Sequence, residues 1–401
     1  MGVLVQILRR VGSCHGLNCS RVPGRPPRIS QQIRSRRGPG SHRGSFGGRS
    51  SEHHISCISA GGILRALDPD VYEVIPIGIT PAGHWVLQAN DADRLSIADG
   101  VLPSVDRDAP EVVLSVDPTS AGLTVHQPAG GMQALGRVDV VFPVLHGPWG
   151  EDGTIQGLLE MAGVPYVGSG VLGSALSMDK GFMKALLAQA GLPIGPYEVI
   201  TDAQWRLDQE GALQRVRGLG AVVFVKPARA GSSNGISKVS DTGQLADAIE
   251  AARIHDPKVI VERAITGARE IECGVIVDGT PKASRCAEIV VRSGHEFYDF
   301  EAKYLDDSVD LIVPADIAAE LESKVQALAI AAFTALACEG LARVDFFVTE
   351  AGQIIINEIN TMPGFTPISM FPRMWEASGL PYPALVDHLV RDALLRGTGL
   401  R

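Results

Sequence analysis

Cysteine, aromatic residues and long apolar runs are all scarce in this sequence. Its 6 cysteines, spread over 401 residues, include no CxxC pair. That leaves no disulfide framework and no zinc spacing, and it fits a reducing cytosol, so a cytoplasmic protein is expected. No stretch approaches the ~20 consecutive apolar residues of a membrane-spanning helix, so no membrane partner is expected. Lys and Arg number 36 against 45 Asp and Glu, a net charge of −9. Such a balance lacks the basic face of a general nucleic-acid binder. Nothing suggests a Ser–His–Asp triad or a reactive cysteine. What remains is 45% hydrophobic and 20% charged, the composition of a globular protein that at this length holds two or three domains.

One absence is local. Residues 1–51 contain ten Arg and no Lys, Asp or Glu, so the remainder carries 36 − 10 = 26 basic against 45 acidic residues, or −19. This head is rich in Gly, Ser and Pro, and a segment such as 21–49 cannot bury enough apolar surface to offset its ordering entropy. One reading is a disordered tail, or a stretch translated from a wrong start or shifted frame. The other is a transit peptide, which is also Arg-rich and acid-poor, although no clear amphipathic helix accompanies these arginines.

From about Gly47 the pattern becomes regular. Ser50 or Ser51 can cap a helix over 52–67 that Asp68-Pro69 ends. Runs 71–79 (VYEVIPIGI) and 138–144 (VDVVFPV) are nearly continuously apolar, as covered parallel strands are. Alternation of helix and strand predicts an α/β unit here. A helix follows over 178–190, then strands over 221–225, 258–262 and 271–277. A polar, irregular stretch at 292–314 is long enough to be a mobile lid, and a helix over 317–338 leads into two more strands.

Those last strands, 341–349 (LARVDFFVT) and 353–360 (QIIINEIN), carry the strongest chemical signal. A two-residue turn at Ala351-Gly352 sets Asp345 opposite Glu358 and Arg343 opposite Asn360, all on one face. Two carboxylates and an amide oxygen are hard ligands suited to magnesium shared with substrate phosphates. The competing reading is a solvated hairpin face on which Arg343 neutralises Asp345. Lys226-Pro227 opens a glycine-rich loop, ARAGSSNGISK at 228–238, whose small residues let backbone N–H groups approach phosphate; an ordinary surface turn has the same composition. Lys180 begins a helix and can meet a phosphate, or solvent. Glu262 and Glu270 can accept from an adenine amine and ribose hydroxyls, or be surface carboxylates. His146 follows a buried-looking strand, where ligands of open sheets lie, but a structural histidine fits equally well.

Together these segments resemble the D-alanine–D-alanine ligases of the ATP-grasp superfamily, from about Phe46 to near the C-terminus. The signatures are GGRSSEHHIS at 47–56, HGPWGEDGTIQGLLE at 146–160, YVGSGVLGSALSMDK at 166–180, VKPARAGSSNGISKV at 225–239, DFEAKY at 299–304, and ARVDFFV with NEINTMPGFTPISM within 342–370. The resemblance implies an α/β ATP-grasp fold: an atypical head at 1–45, a parallel α/β substrate domain at 46–165, and central and C-terminal domains at 166–262 and 263–401 whose sheets sandwich ATP. It implies ligation of two D-alanines with ATP through an acyl phosphate, for peptidoglycan synthesis, with two Mg2+ or Mn2+ and commonly a homodimer. By the same resemblance, Glu52 holds the first substrate's ammonium and His146 lies near its carboxylate. Lys180 and Lys226 hold ATP phosphates, Ser232 and Ser233 close over them, and Glu262 and Glu270 take adenine and ribose. Lys303 and Tyr304 belong to the mobile loop, which Glu52, Ser232 and Tyr304 fasten. Arg343 and the Gly364 amide stabilise the tetrahedral intermediate. Asp345, Glu358 and Asn360 bind metal, and Ser369 and Met370 bind the second carboxylate.

Relatives that make D-alanyl-D-lactate tend to lack Tyr304, so it favours an amine as the second nucleophile over a D-lactate. In one respect the sequence departs from the family. An apolar strand should precede Gly47, yet 37–45 reads RGPGSHRGS, which is no strand. Residues 3–8 (VLVQIL) can substitute if 9–45 loop out. Without a first strand, Glu52 is expected to be misplaced, leaving a catalytically impaired ATP- or D-alanine-binding homologue.

Overall fold

The computed structural model describes residues 3–10, 52–97, 101–119, 122–127, 130–231, 234–291 and 309–399. Its first sheet is built around strand β1, Val3–Arg10, which hydrogen-bonds on one side to β2 (Tyr72–Ile79) and on the other to β7 (Val140–Val144). The missing strand is thus supplied by the first residues of the Arg-rich head itself. It runs antiparallel to both neighbours, with Val3 opposite Ile79 and Leu4 opposite Val144. This corrects the expectation of a parallel sheet. A central strand satisfies its backbone groups on both edges in either direction, and continuous apolarity marks burial without fixing orientation. Strand β3 (Trp85–Leu87) extends β2 outward, again antiparallel. Three short strands, β4 (Val112–Leu114), β5 (Gly122–His126) and β6 (Met132–Arg137), form a small separate sheet.

Helix α1 (His53–Ala66) starts at Glu52, which is its N-cap residue and has no side-chain capping bond; Ser50 and Ser51 lie outside the described residues. Helix α2 (Thr154–Ala162) starts and ends on glycines in the left-handed region. The helix expected over 178–190 is α4 (Lys180–Gln189), and a separate helix, α3 (Val171–Met178), precedes it. Asp179 separates them and accepts from the Gly181 and Phe182 amides, the N-cap arrangement that starts a new helix.

The second sheet, in the order β10-β9-β11-β8, comprises β8 (Tyr197–Ile200), β9 (Val223–Pro227), β10 (Ser237–Val239) and β11 (Val259–Arg263). Helices α5 (Asp202–Leu207), α6 (Gln209–Arg217) and α7 (Leu245–Arg253) cover it through Trp205, Leu213, Val216 and Ile249. The third sheet, in the order β14-β13-β12-β15-β16, comprises β12 (Arg269–Asp278), β13 (Thr280–Val291), β14 (Val309–Ile312), β15 (Leu341–Val348) and β16 (Ile354–Asn360). Strand β14 falls inside the stretch read as irregular; residues 292–308 of that stretch lie outside the described residues. Helix α8 (Ala319–Ala335) packs on this sheet, and α9 (Met370–Ala377) and α10 (Tyr382–Arg396) close the chain.

One apolar core joins the first sheet to the C-terminal helices. Ile63 of α1, Phe142 of β7, Phe365, Phe371 and Leu389 are all buried in it. Aromatic edges meet there, with Phe142 and Phe365 rings 5.6 Å apart. The loop from Thr361 to Ser369 is thereby clamped between the two halves. None of the described helices is long and apolar enough to cross a membrane.

Candidate active site

The carboxylate hairpin forms with the expected partners but a different turn. Gly352, at φ 76°, donates its N–H to Thr349 O, and Thr349 N–H donates to Gln353 O. The loop is therefore three residues long, and Val348 faces Ile354. A bulge then shifts the register between Asp345 and Phe346, restoring Asp345 opposite Glu358 and Arg343 opposite Asn360. The loop and the bulge cancel.

On this face the Arg343 guanidinium forks onto Asp345, with both N–O distances 2.7 Å. Its Nε also lies 3.3 Å from Glu272 Oε2. Burial alone would weaken the proton's hold on Arg343, but Asp345 and Glu272 outweigh it and keep the group a cation. Asn360 Nδ2 donates to Asp345 at 3.0 Å. Lys180 Nζ lies 3.3 Å from Glu358 and donates to the Ala230 carbonyl at 3.0 Å. The phosphate-type lysine, the glycine loop and the carboxylate pair thus meet at one point.

Two cavities open from that point, sharing Lys180, Gly231, Glu272, Arg343 and Glu358 as walls. The larger, about 410 Å³, is lined by Phe224, Lys226, Ile236, Glu262, Glu270 and Phe346. Within it Lys226 Nζ lies 2.5 Å from Glu262, whose other oxygen is 2.7 Å from Lys184 Nζ. Burial would raise the Glu262 pKa, but the two ammonium groups hold it below the usual carboxylate range. Burial opposes the Lys226 charge, and Glu262 and Glu358 more than compensate, raising its pKa.

The smaller cavity, about 250 Å³, is lined by Glu52, His146, Glu151, Gly364, Ser369 and Met370. Glu52 is not misplaced: it is buried at the start of α1, and a methyl group on Gly231 would stand 3.0 Å from its Oε2. The His146 Nδ1 lies 2.9 Å from the Met362 carbonyl and its Nε2 3.2 Å from Ser59 Oγ. A carbonyl only accepts, so Nδ1 carries the proton and Ser59 donates to Nε2. Burial lowers the His146 pKa, which keeps the ring neutral. Thr366 N–H donates to Ser369 Oγ at 3.1 Å, and Tyr382 O–H to the Phe365 carbonyl at 2.7 Å. Met370 is buried in the core and forms part of the cavity wall.

Sequence reasoning missed Glu151 and Lys184. Glu151 accepts from Gly147 N–H at 2.7 Å and Met362 N–H at 3.1 Å, tying the two halves of the cavity together. Burial pushes its pKa up to about 8, with Glu52 adding to the effect. It lies inside the HGPWGEDG motif but has no partner at a readable spacing. Lys184 is one helical turn from Lys180, and that spacing is its only sequence signal. Ser232, Ser233, Lys303 and Tyr304 lie outside the described residues.

The donor set suits Mg2+. Two opposed carboxylates and an amide leave room for phosphate oxygens and water, which is how this ion is bound. Among the described residues no group of three or more His, Cys, Asp or Glu could hold a metal by itself.

Known proteins with matching sequence and structure were found. Residues 45–169 match the family described as D-ala D-ala ligase N-terminus, and 186–391 match D-ala D-ala ligase C-terminus. The D-alanine–D-alanine ligase of Mycobacterium avium is 58% identical over 363 residues, covering 89% of this chain and 97% of its own. That of Streptomyces griseus is 54% identical over 365 residues, covering 89% and 93%. Among solved structures, the VanG D-Ala:D-Ser ligase of Enterococcus faecalis superposes with a TM-score of 0.75 at 37% identity, covering 87% of this chain and 97% of that one. The D-alanine–D-alanine ligase of Coxiella burnetii gives 0.73 at 34% identity, covering 87% and 92%.

Proposed function

The chain belongs to the D-alanine–D-alanine ligase family, and from that membership we propose how its residues divide the work. It is an ATP-dependent ligase that joins two D-alanines into D-alanyl-D-alanine for peptidoglycan synthesis. The observation that carries the assignment of roles is the shared wall of the two cavities, where Lys180, Arg343 and Glu358 adjoin both.

The larger cavity takes ATP, with Glu262 and Glu270 toward adenine and ribose and Lys180 and Lys226 on the phosphates. Ser232, Ser233 and Lys303 complete the phosphate cover. The first D-alanine lies in the smaller cavity with its ammonium on Glu52. Its carboxylate oxygen attacks the γ-phosphorus, the bond to the β-phosphate oxygen breaks, and ADP leaves. Fixed cations offset the negative charge that moves in this step. The second D-alanine, its carboxylate at Ser369 and Met370, then attacks the acyl carbon with its amine. Arg343 and the Gly364 amide face the developing oxyanion, and phosphate departs as the amide forms and the amine proton is lost. His146 supports that geometry as a neutral ring whose N–H holds the Met362 carbonyl two residues before Gly364. Asp345, Glu358 and Asn360 would hold two Mg2+ or Mn2+, which when bound supply positive charge to the phosphate oxygens. Glu52, Ser232 and Tyr304 fasten the loop that excludes water.

Tyr304 and the 47–56 motif support D-alanine rather than D-lactate or D-serine as second substrate. Three domains, divided near 165 and 262, fit the separation of the chain into distinct sheets, with β11 (Val259–Arg263) running one residue past the second boundary. A cytoplasmic homodimer is the natural setting for an ATP-consuming enzyme of this family. Phosphate release with ATP and D-alanine, D-serine or D-lactate tests the reading. Release with D-alanine alone is expected; release only when D-serine or D-lactate is added would overturn it.

A further inference from the structure

Glu262 is shared by two lysines that face different surroundings. Lys226 lines the larger cavity, whereas Lys184 lines neither cavity and has a side chain only 4% exposed. Their ammonium groups contact different oxygens of one carboxylate, at 2.7 Å from Lys184 and 2.5 Å from Lys226. The cluster holds two cations and one anion. When a nucleotide phosphate draws Lys226 away, the buried carboxylate would be left unpaired unless a second cation remains, and an uncompensated buried charge is strongly unfavourable.

We propose that Lys184 is a positioning residue for the nucleotide: it keeps Glu262 oriented and charge-balanced while Lys226 turns to the phosphates. This rests on the larger cavity being the ATP site. The helix is built to hold Lys184 there. Asp179 caps α4 and is gripped by Lys258 Nζ at 2.7 and 2.8 Å, and Lys258 also lies over the Phe182 ring at 4.2 Å. Lys180 and Lys184, one turn apart on this anchored helix, therefore address the two ends of the cavity, Glu358 and Glu262.

The test compares KM for ATP and for D-alanine in the full-length enzyme and its variants. Lys184→Gln keeps a donor without the charge and should raise KM for ATP about tenfold, leaving KM for D-alanine within about twofold. Lys184→Arg should restore most of the loss. On a Glu262→Gln background, adding Lys184→Gln should change KM for ATP by less than about twofold, since no carboxylate remains to balance. That double variant removes the buried carboxylate together with the Lys184 charge, while Glu358 still acts on Lys226, so it gives the answer even if the single one fails to fold. An unchanged KM for ATP in Lys184→Gln, a parallel rise for both substrates, no rescue by Arg, or a further large loss in the double variant would each overturn the proposal. Lys226→Ala separates it from its premise. If that variant also leaves KM for ATP unchanged, the cavity is not the ATP site. If it raises KM while Lys184→Gln does not, only the role of Lys184 fails.

Discussion

Asp345 is the residue on which the most geometry converges, since Arg343 and Asn360 both bond to it and Glu358 faces it across the ladder. Asp345→Asn should lower kcat by about a hundredfold or more and raise the Mg2+ needed for half-maximal rate, and should also lower thermal stability because the buried Arg343 loses a charge partner; equal activity at equal Mg2+ would sink its role. The pairing was readable because strand periodicity is two. The turn was not, because Glu350 fits a loop as well as a strand and the compensating bulge leaves no mark in the sequence. Glu151 gives a second residue-scale prediction. Its folded pKa of about 8 exceeds that of an unfolded glutamate. The native state therefore binds the extra proton, and the associated stability is fully present below about pH 4.5 and is lost as pH rises through about 8. Melting temperature measured from pH 5 to 9 should fall for the parent relative to Glu151→Gln across that window. A constant difference would mean that Glu151 is ionised throughout.

At the scale of elements, the glycine loop owes its position to its stem. Asp256, 4% exposed, accepts from Arg229 N–H, Nε and Nη2 and from Lys258 N–H, at 2.7 to 3.0 Å. The loop's first residues are thus bolted to the strand that carries Glu262. Asp256→Asn should cost about 2 kcal/mol in denaturant unfolding, as for a buried charge-assisted bond, and should raise KM for ATP more than KM for D-alanine. Loss of stability with no change in KM for ATP would separate the stem from the site. The loop's composition was legible in the sequence, but its anchor, 27 residues away, was not. The α3–α4 break is a similar case. No proline interrupts the run from Val171 to Gln189, and only the capping bonds of Asp179 show that a new helix starts.

At the scale of the whole molecule, the first sheet and the C-terminal helices share one core, and β1 is one of that sheet's two inner strands by hydrogen bonding. Deleting residues 1–10 would strip eight register pairs from β2 and five from β7. Such a chain should melt roughly 10 °C or more lower, or fail to stay soluble; an unchanged melting temperature would show that the strand is dispensable. The sequence flagged this region through its charge, with every acidic residue absent from 1–51, and offered 3–8 as a candidate strand. Its direction was not legible, because an apolar run reads the same from either end. The little β4–β6 sheet escaped notice because strands of three to six residues carry too few alternations.

The place of β1 also sets an order of events during synthesis. Val3–Arg10 emerges from the ribosome before both of its neighbours, Tyr72–Ile79 and Val140–Val144. At roughly 5–20 residues per second, the second neighbour follows many seconds later. Meanwhile the leading strand has an unpaired edge, while β12 can pair with β13 as soon as both are made, since only Gly279 separates them. The half of the enzyme made last can therefore close promptly, and the half made first must wait for its far strand.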